Sequence, residues 1–240
     1  ENFRMNLRRI EGIARVLSDF RNAGKEMVFV SSGAISAGVA KLGLESRPKA
    51  IEEKQAVAAV GQSELMKIYE HFFGMFGQNV AQILLTRDIM ENPVARKNAE
   101  NTFATLLKMG CIPIVNENDS VSFDEIEFGD NDPLSAYVSV LCHADALIIL
   151  SDIDGLYDSD PHKNSEAKLI STVAKVDDTI LGYAGGAGSN RGTGGLITKL
   201  HAAEIVTGSG IPMFIVNGQN PEILYDLFEG KHVGTYFMSN

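Results

Sequence analysis

Positive charge is scarce in this chain of 240 residues: 21 Lys and Arg stand against 31 Asp and Glu, a formal net charge of −10 and a pI near 5.0. That balance argues against nucleic acid or an anionic membrane surface as the main partner. Cysteine is scarce too. Cys111 and Cys142 both sit among apolar neighbours without metal-ligand spacing, so they read as free core thiols in a reducing compartment, and a cytoplasmic setting is expected. No apolar run approaches the ~20 residues of a membrane span, and no secretory pattern stands out. Repeats, low-complexity tracts and charge runs that would mark a linker are also missing. With 45 % hydrophobic residues the chain can bury an ample core, and a single domain over residues 1–240 is expected. The sequence opens at Glu1 without a methionine, from which a natural start further upstream is expected.

What the chain does have is glycine in one place. The run GGAGSNRGTGGLITK, residues 185–199, holds six of the 23 glycines. Such a run lets many backbone N–H groups converge on an anion, because glycine takes positive φ and allows close approach. The residues after it, LITKLHAAEIVTGSG, read as a helix with Leu200, Ala203 and Val206 on one face. A glycine loop leading into a helix N-terminus suits a phosphate. Neither common phosphate pattern fits: Thr198 rather than glycine precedes Lys199, and Arg191 stands where the last glycine of G-x-G-x-x-G would be. A surface loop is the plainer alternative. Lys199 weighs against it, since a cation one turn into a helix opposes the dipole and is better explained by an anion it must reach.

Taken in order, the periodicity predicts a helix over residues 6–23, then a short apolar strand over 27–30 that ends in Ser31-Ser32-Gly33-Ala34. Helices follow over 52–76 and 93–109, the first carrying Ala56, Ala58, Ala59 and Gly61, small enough for another helix to pack closely. Further strands are predicted over 79–85, 112–115, 146–150 and 213–216. Short apolar strands alternating with helices mean right-handed crossovers and a largely parallel sheet covered on both faces. The expected architecture is α/β, a three-layer α/β/α sandwich with a mostly parallel central sheet.

Polar residues gather where those strands end, which is where open α/β sheets bind ligands. The third strand runs into Asn116-Glu117-Asn118-Asp119, a short alternating segment read as a hairpin, and Gly129-Asp130-Asn131-Asp132, with a helix from Pro133. The fourth ends in Ser151-Asp152 with Asp154-Gly155 and Asp160-Pro161 beyond. Solvated turns account for Asn and Asp equally well at any one of these places, and Ser32 alone reads as a helix cap. Three polar strand ends and a glycine loop together fit phosphoryl transfer, in which the protein supplies positioning and positive charge.

The segments SSGAISAG (31–38), KQAVAAVGQ (54–62), LLTRDIMEN (84–92), VNENDSV (115–121), FGDNDPLSA (128–136), LSDIDGLYDSDP (150–161) and GTGGLITKLHAA (192–203) resemble, in order and over the whole chain, the amino acid kinase family. The paired NEND and GDND blocks are similar to its glutamate-phosphorylating branch. The resemblance implies transfer of the ATP γ-phosphoryl group to the γ-carboxylate of L-glutamate, the first step of proline synthesis, with Mg2+ arriving on the nucleotide and no dedicated protein metal site. It implies that Ser32, Asp119 and Asn131 bind glutamate, that Ser151 and Asp152 stand for a Thr-Asp nucleotide-contacting pair, and that Thr193, Gly194, Gly195, Leu196, Ile197, Thr198 and Lys199 form the ATP loop. Lys199 would stabilise charge on the moving phosphoryl group, and Asp132 would hold the catalytic lysines.

Two departures accompany the likeness. The family's first strand, with its lysine and glycine turn, is expected ahead of Glu1, and the RNA-modification-type domain that many members carry at the C-terminus is not expected. The resemblance further implies a homodimer or homotetramer and feedback inhibition by proline at a site overlapping that for glutamate. A sibling kinase acting on aspartate, acetylglutamate, carbamate or a nucleoside monophosphate shares the fold and loop, and a noncatalytic nucleotide-binding regulator would keep only the loop.

Overall fold

The computed structural model describes residues 5–121, 131–161, 164–184 and 193–239. They fall into two compact units, Glu1–Asn131 and Asp132–Asn240.

In the first unit, Asn6 caps α1 (Leu7–Asn22) by accepting from the Arg9 N–H at 3.1 Å, and the chain leaves the helix through Gly24 at φ 85°. β1 (Phe29–Val30) is half the expected length, and α2 (Ala34–Leu42) follows it directly. The 25-residue α3 (Ile51–Met75) leads to β2 (Val80–Leu85). A 3₁₀ turn over Arg87–Met90 precedes α4 (Pro93–Lys108), opened by Asn92 accepting from the Val94 and Ala95 N–H groups and by Pro93 in its first position. β3 (Ile112–Glu117) lies between the other two strands, order β1-β3-β2, all parallel.

α2 and α3 meet backbone to backbone. A Cβ on Gly38 would lie 2.0 Å from the Val57 carbonyl oxygen, and one on Gly61 1.7 Å from that of Ala34, so only glycine permits the crossing. Close packing was expected from the small residues of α3. Gly61 and Ala58 do face inward, but Ala56 and Ala59 are exposed. By its rise of ~1.5 Å per residue α3 is about 37 Å long, whereas six strand residues span about 20 Å. The helix reaches β2 through a four-residue link, and α2 packs against it.

In the second unit, α5 (Asp132–Leu141) leads into β4 (Leu147–Ser151), and β5 (Thr172–Val173) and α6 (Asp178–Ala184) follow. α7 (Thr193–Gly208) leads into β6 (Met213–Asn217), then come α8 (Ile223–Phe228) and β7 (Thr235–Phe237). The sheet order is β4-β6-β7-β5, with β4/β6 and β5/β7 parallel and β6/β7 antiparallel. Leu200, Ala203 and Val206 are fully buried against Leu156, Met213, Ile215 and Phe237, as the apolar stripe of α7 predicts.

The α/β class and the preponderance of parallel pairing are borne out. Two short strands, β5 and β7, were not foreseen; runs of two and three residues carry no periodicity. The hairpin expected between Asp119 and Asn131 lies largely outside the described residues. Cys111 and Cys142 are free and half-buried rather than core residues, and burial pushes the Cys142 thiol up to about 12. Among the described residues no helix is long and apolar enough to cross a membrane.

Candidate active site

Each unit gathers polar side chains at the carboxyl edge of its parallel strands. In the first, β1 ends in buried Ser31, whose N–H donates to the Val115 carbonyl at 2.8 Å and whose hydroxyl lies 2.7 Å from that of Tyr69. Burial raises the Tyr69 phenol, so it stays neutral. Asn131 donates its amide N–H groups to the Ser31 carbonyl and, at 2.6 Å, to Asn116 Oδ1. Asn116 in turn donates to Gln62 Oε1 at 2.9 Å, and Gln62 to Gln82 Oε1 at 3.1 Å. A chain of neutral amides thus runs from the middle of α3 to the end of β1.

Of the residues expected to bind an acceptor, Asn131 is tied into this chain. Ser32 is exposed in the turn before α2, and its carbonyl accepts from the Ser31 hydroxyl at 3.3 Å. Asp119 is half-buried just past β3; burial raises its carboxyl above the ordinary range, and the Arg47 guanidinium pulls the other way. Glu117 Oε1 is buried without a partner. Sequence reading passed over Gln62, Tyr69 and Arg47. Gln62 and Tyr69 sit in a helix whose stripe otherwise reads as packing, and Arg47 in a polar connector.

In the second unit, α5 and α7 both lead into strands, so both N-termini lie at the carboxyl edge of β4 and β6. There Lys199 Nζ donates to Asp132 Oδ2 at 2.9 Å and to the Gly195 carbonyl at 3.2 Å, with side-chain exposures of only 13 % and 12 % for Lys199 and Asp132. The Thr198 hydroxyl lies 3.0 Å from both Asp132 Oδ2 and the Gly195 carbonyl. The helix begins at Thr193, inside the glycine run, so Lys199 stands in its second turn, not its first. The anion it was expected to reach has a resident counterpart, the Asp132 carboxylate. Leu196 is half-buried against the core and Ile197 is exposed; the Thr193 and Gly194 environments and the glycines 185–192 lie outside the described residues.

Ser151 is buried at the end of β4, donates to Asp152 Oδ1 at 3.2 Å, and leaves Asp152 exposed. Beside it Asp154 accepts from Asn217 Nδ2 at 2.7 Å and from the Tyr157 hydroxyl at 3.2 Å. A groove of about 480 Å³ opens along Asp154, Asn217, Gln219, Asn220 and Tyr225, at the same strand ends. Its lining mixes amides, an aromatic ring and the carboxylates of Asp154, Glu222 and Asp226.

Comparison with known proteins accords with this geometry. Residues 3–217 match the amino acid kinase family. The chain is 58 % identical over 243 residues to a glutamate 5-kinase of Clostridium perfringens, covering 100 % of this chain and 90 % of that one. It is 54 % identical to one of Clostridium tetani, with 99 % and 89 % covered, and 52 % to one of Listeria innocua, with 99 % and 88 % covered. Among solved structures, an isopentenyl phosphate kinase of T. acidophilum aligns over 99 % of this chain and 93 % of its own with a TM-score of 0.64 at 18 % identity. A UMP kinase from Bacillus anthracis aligns over 99 % and 89 % with a TM-score of 0.60 at 18 % identity.

Proposed function

The chain belongs to the amino acid kinase family, and we propose that it transfers the γ-phosphoryl group of ATP to the γ-carboxylate of L-glutamate, giving γ-glutamyl phosphate, the first step of proline synthesis. One observation carries phosphoryl transfer: the Lys199 ammonium is held by Asp132 and the Gly195 carbonyl, which engage two of its three N–H groups. The third is available to a phosphoryl oxygen. Glutamate as acceptor is supported by the likeness to relatives named glutamate 5-kinase at 52–58 % identity.

The acceptor needs little activation, because a carboxylate is already ionised at neutral pH. The work left to the chain is to align the carboxylate and to neutralise the charge that spreads over the phosphoryl oxygens. Lys199 does the second, fixed by Asp132 so that no reorganisation accompanies the reaction. Ser32, Asp119 and Asn131 hold glutamate; Ser151, Asp152 and the Thr193–Lys199 segment hold ATP. Magnesium would neutralise charge on the nucleotide's phosphates when bound. Among the described residues no three His, Cys, Asp or Glu side chains converge on a metal position, and the exposed Asp152 is a carboxylate that a phosphate-borne ion, keeping most of its waters, can use.

We read the two units as serving one kinase domain, working in the cytoplasm as a homo-oligomer inhibited by proline in competition with glutamate. Exposed Leu42, Leu44, Ile51 and Val60 on α2, α3 and their connector support an association surface. ADP release over a panel of acceptors tests the reaction: L-glutamate should be turned over fastest, and hydroxamate trapping should capture its acyl phosphate. Faster turnover of aspartate, N-acetylglutamate or a nucleoside monophosphate would replace this reading with a sibling kinase. Light scattering that gave a monomer would remove the oligomer, and proline-insensitive kinetics the feedback.

A further inference from the structure

The amide chain beside β1 has its polarity set by the backbone at two places. The Ser31 carbonyl can only accept, so the Asn131 atom that meets it is Nδ2. The Glu117 N–H can only donate, and at 2.9 Å it fixes the Asn116 atom that receives it as Oδ1. That same Oδ1 takes the second N–H of Asn131 at 2.6 Å. Asn116 is left with Nδ2 for Gln62, so the Gln62 atom 2.9 Å away is Oε1, and its Nε2 goes to Gln82. None of the three side chains can turn its amide over without setting donor against donor or acceptor against acceptor. With both Asn131 N–H groups engaged inside the protein, Oδ1 is the atom of that side chain left for a ligand. The supports are stiff at both ends: Gln62 follows Gly61, where α3 touches the Ala34 carbonyl, and Ser31 is tied to the buried Tyr69 hydroxyl at 2.7 Å.

Resting on the reading that Asn131 contacts glutamate, we infer that Gln62 is a positioning residue for the phosphoryl acceptor: acting through Asn116, it keeps the Asn131 amide turned with its oxygen outward. An outward carbonyl receives a hydrogen bond, and at neutral pH glutamate has one donor group, its ammonium. Without the Gln62 oxygen, Asn116 keeps only the Glu117 N–H to hold it and is free to swing. Asn131 then loses the neighbour that fixes its second N–H, and the orientation that suits the ammonium is one of several.

The test is a double-mutant cycle read on the KM for glutamate at saturating Mg-ATP. Gln62→Leu should raise that KM about 5-fold, the scale of one neutral hydrogen bond, with kcat and the KM for ATP within twofold. Gln62→Glu, which still offers Asn116 an oxygen, should raise it less. In a chain that already carries Asn131→Ala, Gln62→Leu should add no more than about twofold, because the residue through which it acts is gone. A purely structural loosening would instead multiply with Asn131→Ala and would not be relieved by glutamate at position 62. The Tm of each variant checks the fold, and Gln62→Ala repeats the cycle if leucine is not tolerated. An unchanged KM for glutamate in Gln62→Leu, an equal rise in Gln62→Glu, or a double variant showing the full product of the two single effects would overturn the inference and leave the glutamate reading in place. If Asn131→Ala itself leaves the KM for glutamate unaltered, the role given to Asn131 falls and this inference with it. If the unaltered chain phosphorylates no glutamate, the acceptor reading falls as well.

Discussion

The two units solve different problems with different chemistry. At the strand ends of the first, the described side chains that interlock are neutral: Tyr69, Ser31, Asn131, Asn116, Gln62 and Gln82 pass hydrogen bonds from helix to strand. At the strand ends of the second the central contact is ionic, Lys199 on Asp132 at 2.9 Å. Neutral amides have fixed donors and acceptors, so they discriminate among small molecules by leaving a wrong one unsatisfied. A buried cation does little to discriminate among acceptors, but it gains most as negative charge spreads in a transition state. On the proposed reading, the contrast is between a unit that chooses and a unit that drives.

That contrast is sharpest at Lys199. Lys199→Ala should lower kcat by about 10²- to 10³-fold, the scale for losing one preorganised donor, while the KM for glutamate stays within a few fold. Unchanged kcat in steady-state assays would dissolve the distinction. The second test is mechanical. Gly61→Ala forces a Cβ to 1.7 Å from the Ala34 carbonyl oxygen, so the helix crossing must open. The expected loss is about 3 kcal/mol, roughly 6–12 °C in Tm for a chain of this size, and a calorimetric Tm equal to that of the unaltered protein would mean the crossing is not tight. Third, Asn131→Ala removes the donor to both Ser31 and Asn116, and should raise the KM for glutamate about 10-fold with the KM for ATP changed less. An equal rise in both would show that the first unit does not act on the acceptor alone.

The smallest effect concerns Asp119. Burial raises its carboxyl, so folding favours the neutral form, and the penalty for its charge is present above the ordinary Asp range and vanishes below it. Asp119→Asn should therefore raise Tm slightly at pH 7, with the gap closing as pH falls through the ordinary value of 3.8. Thermal melts at pH 7 and pH 3 that differed from the unaltered protein by the same amount would contradict this.

Much of this was legible in the residues. The α7 stripe of Leu200, Ala203 and Val206 came from periodicity, and the ends of β3 and β4 announced themselves as Asn and Ser after apolar runs. The Lys199–Asp132 pairing came from family likeness, since 67 positions separate the two in the chain and spacing cannot reveal such a contact. Gln62 was hidden for a different reason: its partners lie on two separate strands, and nothing local distinguishes a glutamine that faces a strand end from one that faces water. The start of α7 inside the glycine run was missed because glycine is a poor helix former; packing of the buried residues that follow overrides that preference. The antiparallel β6/β7 pair rests on three residues, too few for a pattern.

The pairing of β1 has a consequence for the order in which the molecule assembles. Phe29 and Val30 dock beside Ile114 and Val115, 85 residues away in sequence, whereas Ile215 and Thr235 meet across only 20. Closing the longer loop costs more chain entropy and must wait until the helices between are compact. In refolding, the β6/β7 pairing can form early and the seat of β1 late, so Ser31 and Ser32 take their positions near the end. Recovery of glutamate affinity should then lag recovery of secondary structure by circular dichroism, and the Ser31 amide, bonded to Val115 across that same junction, should gain its protection from hydrogen exchange in the slow phase.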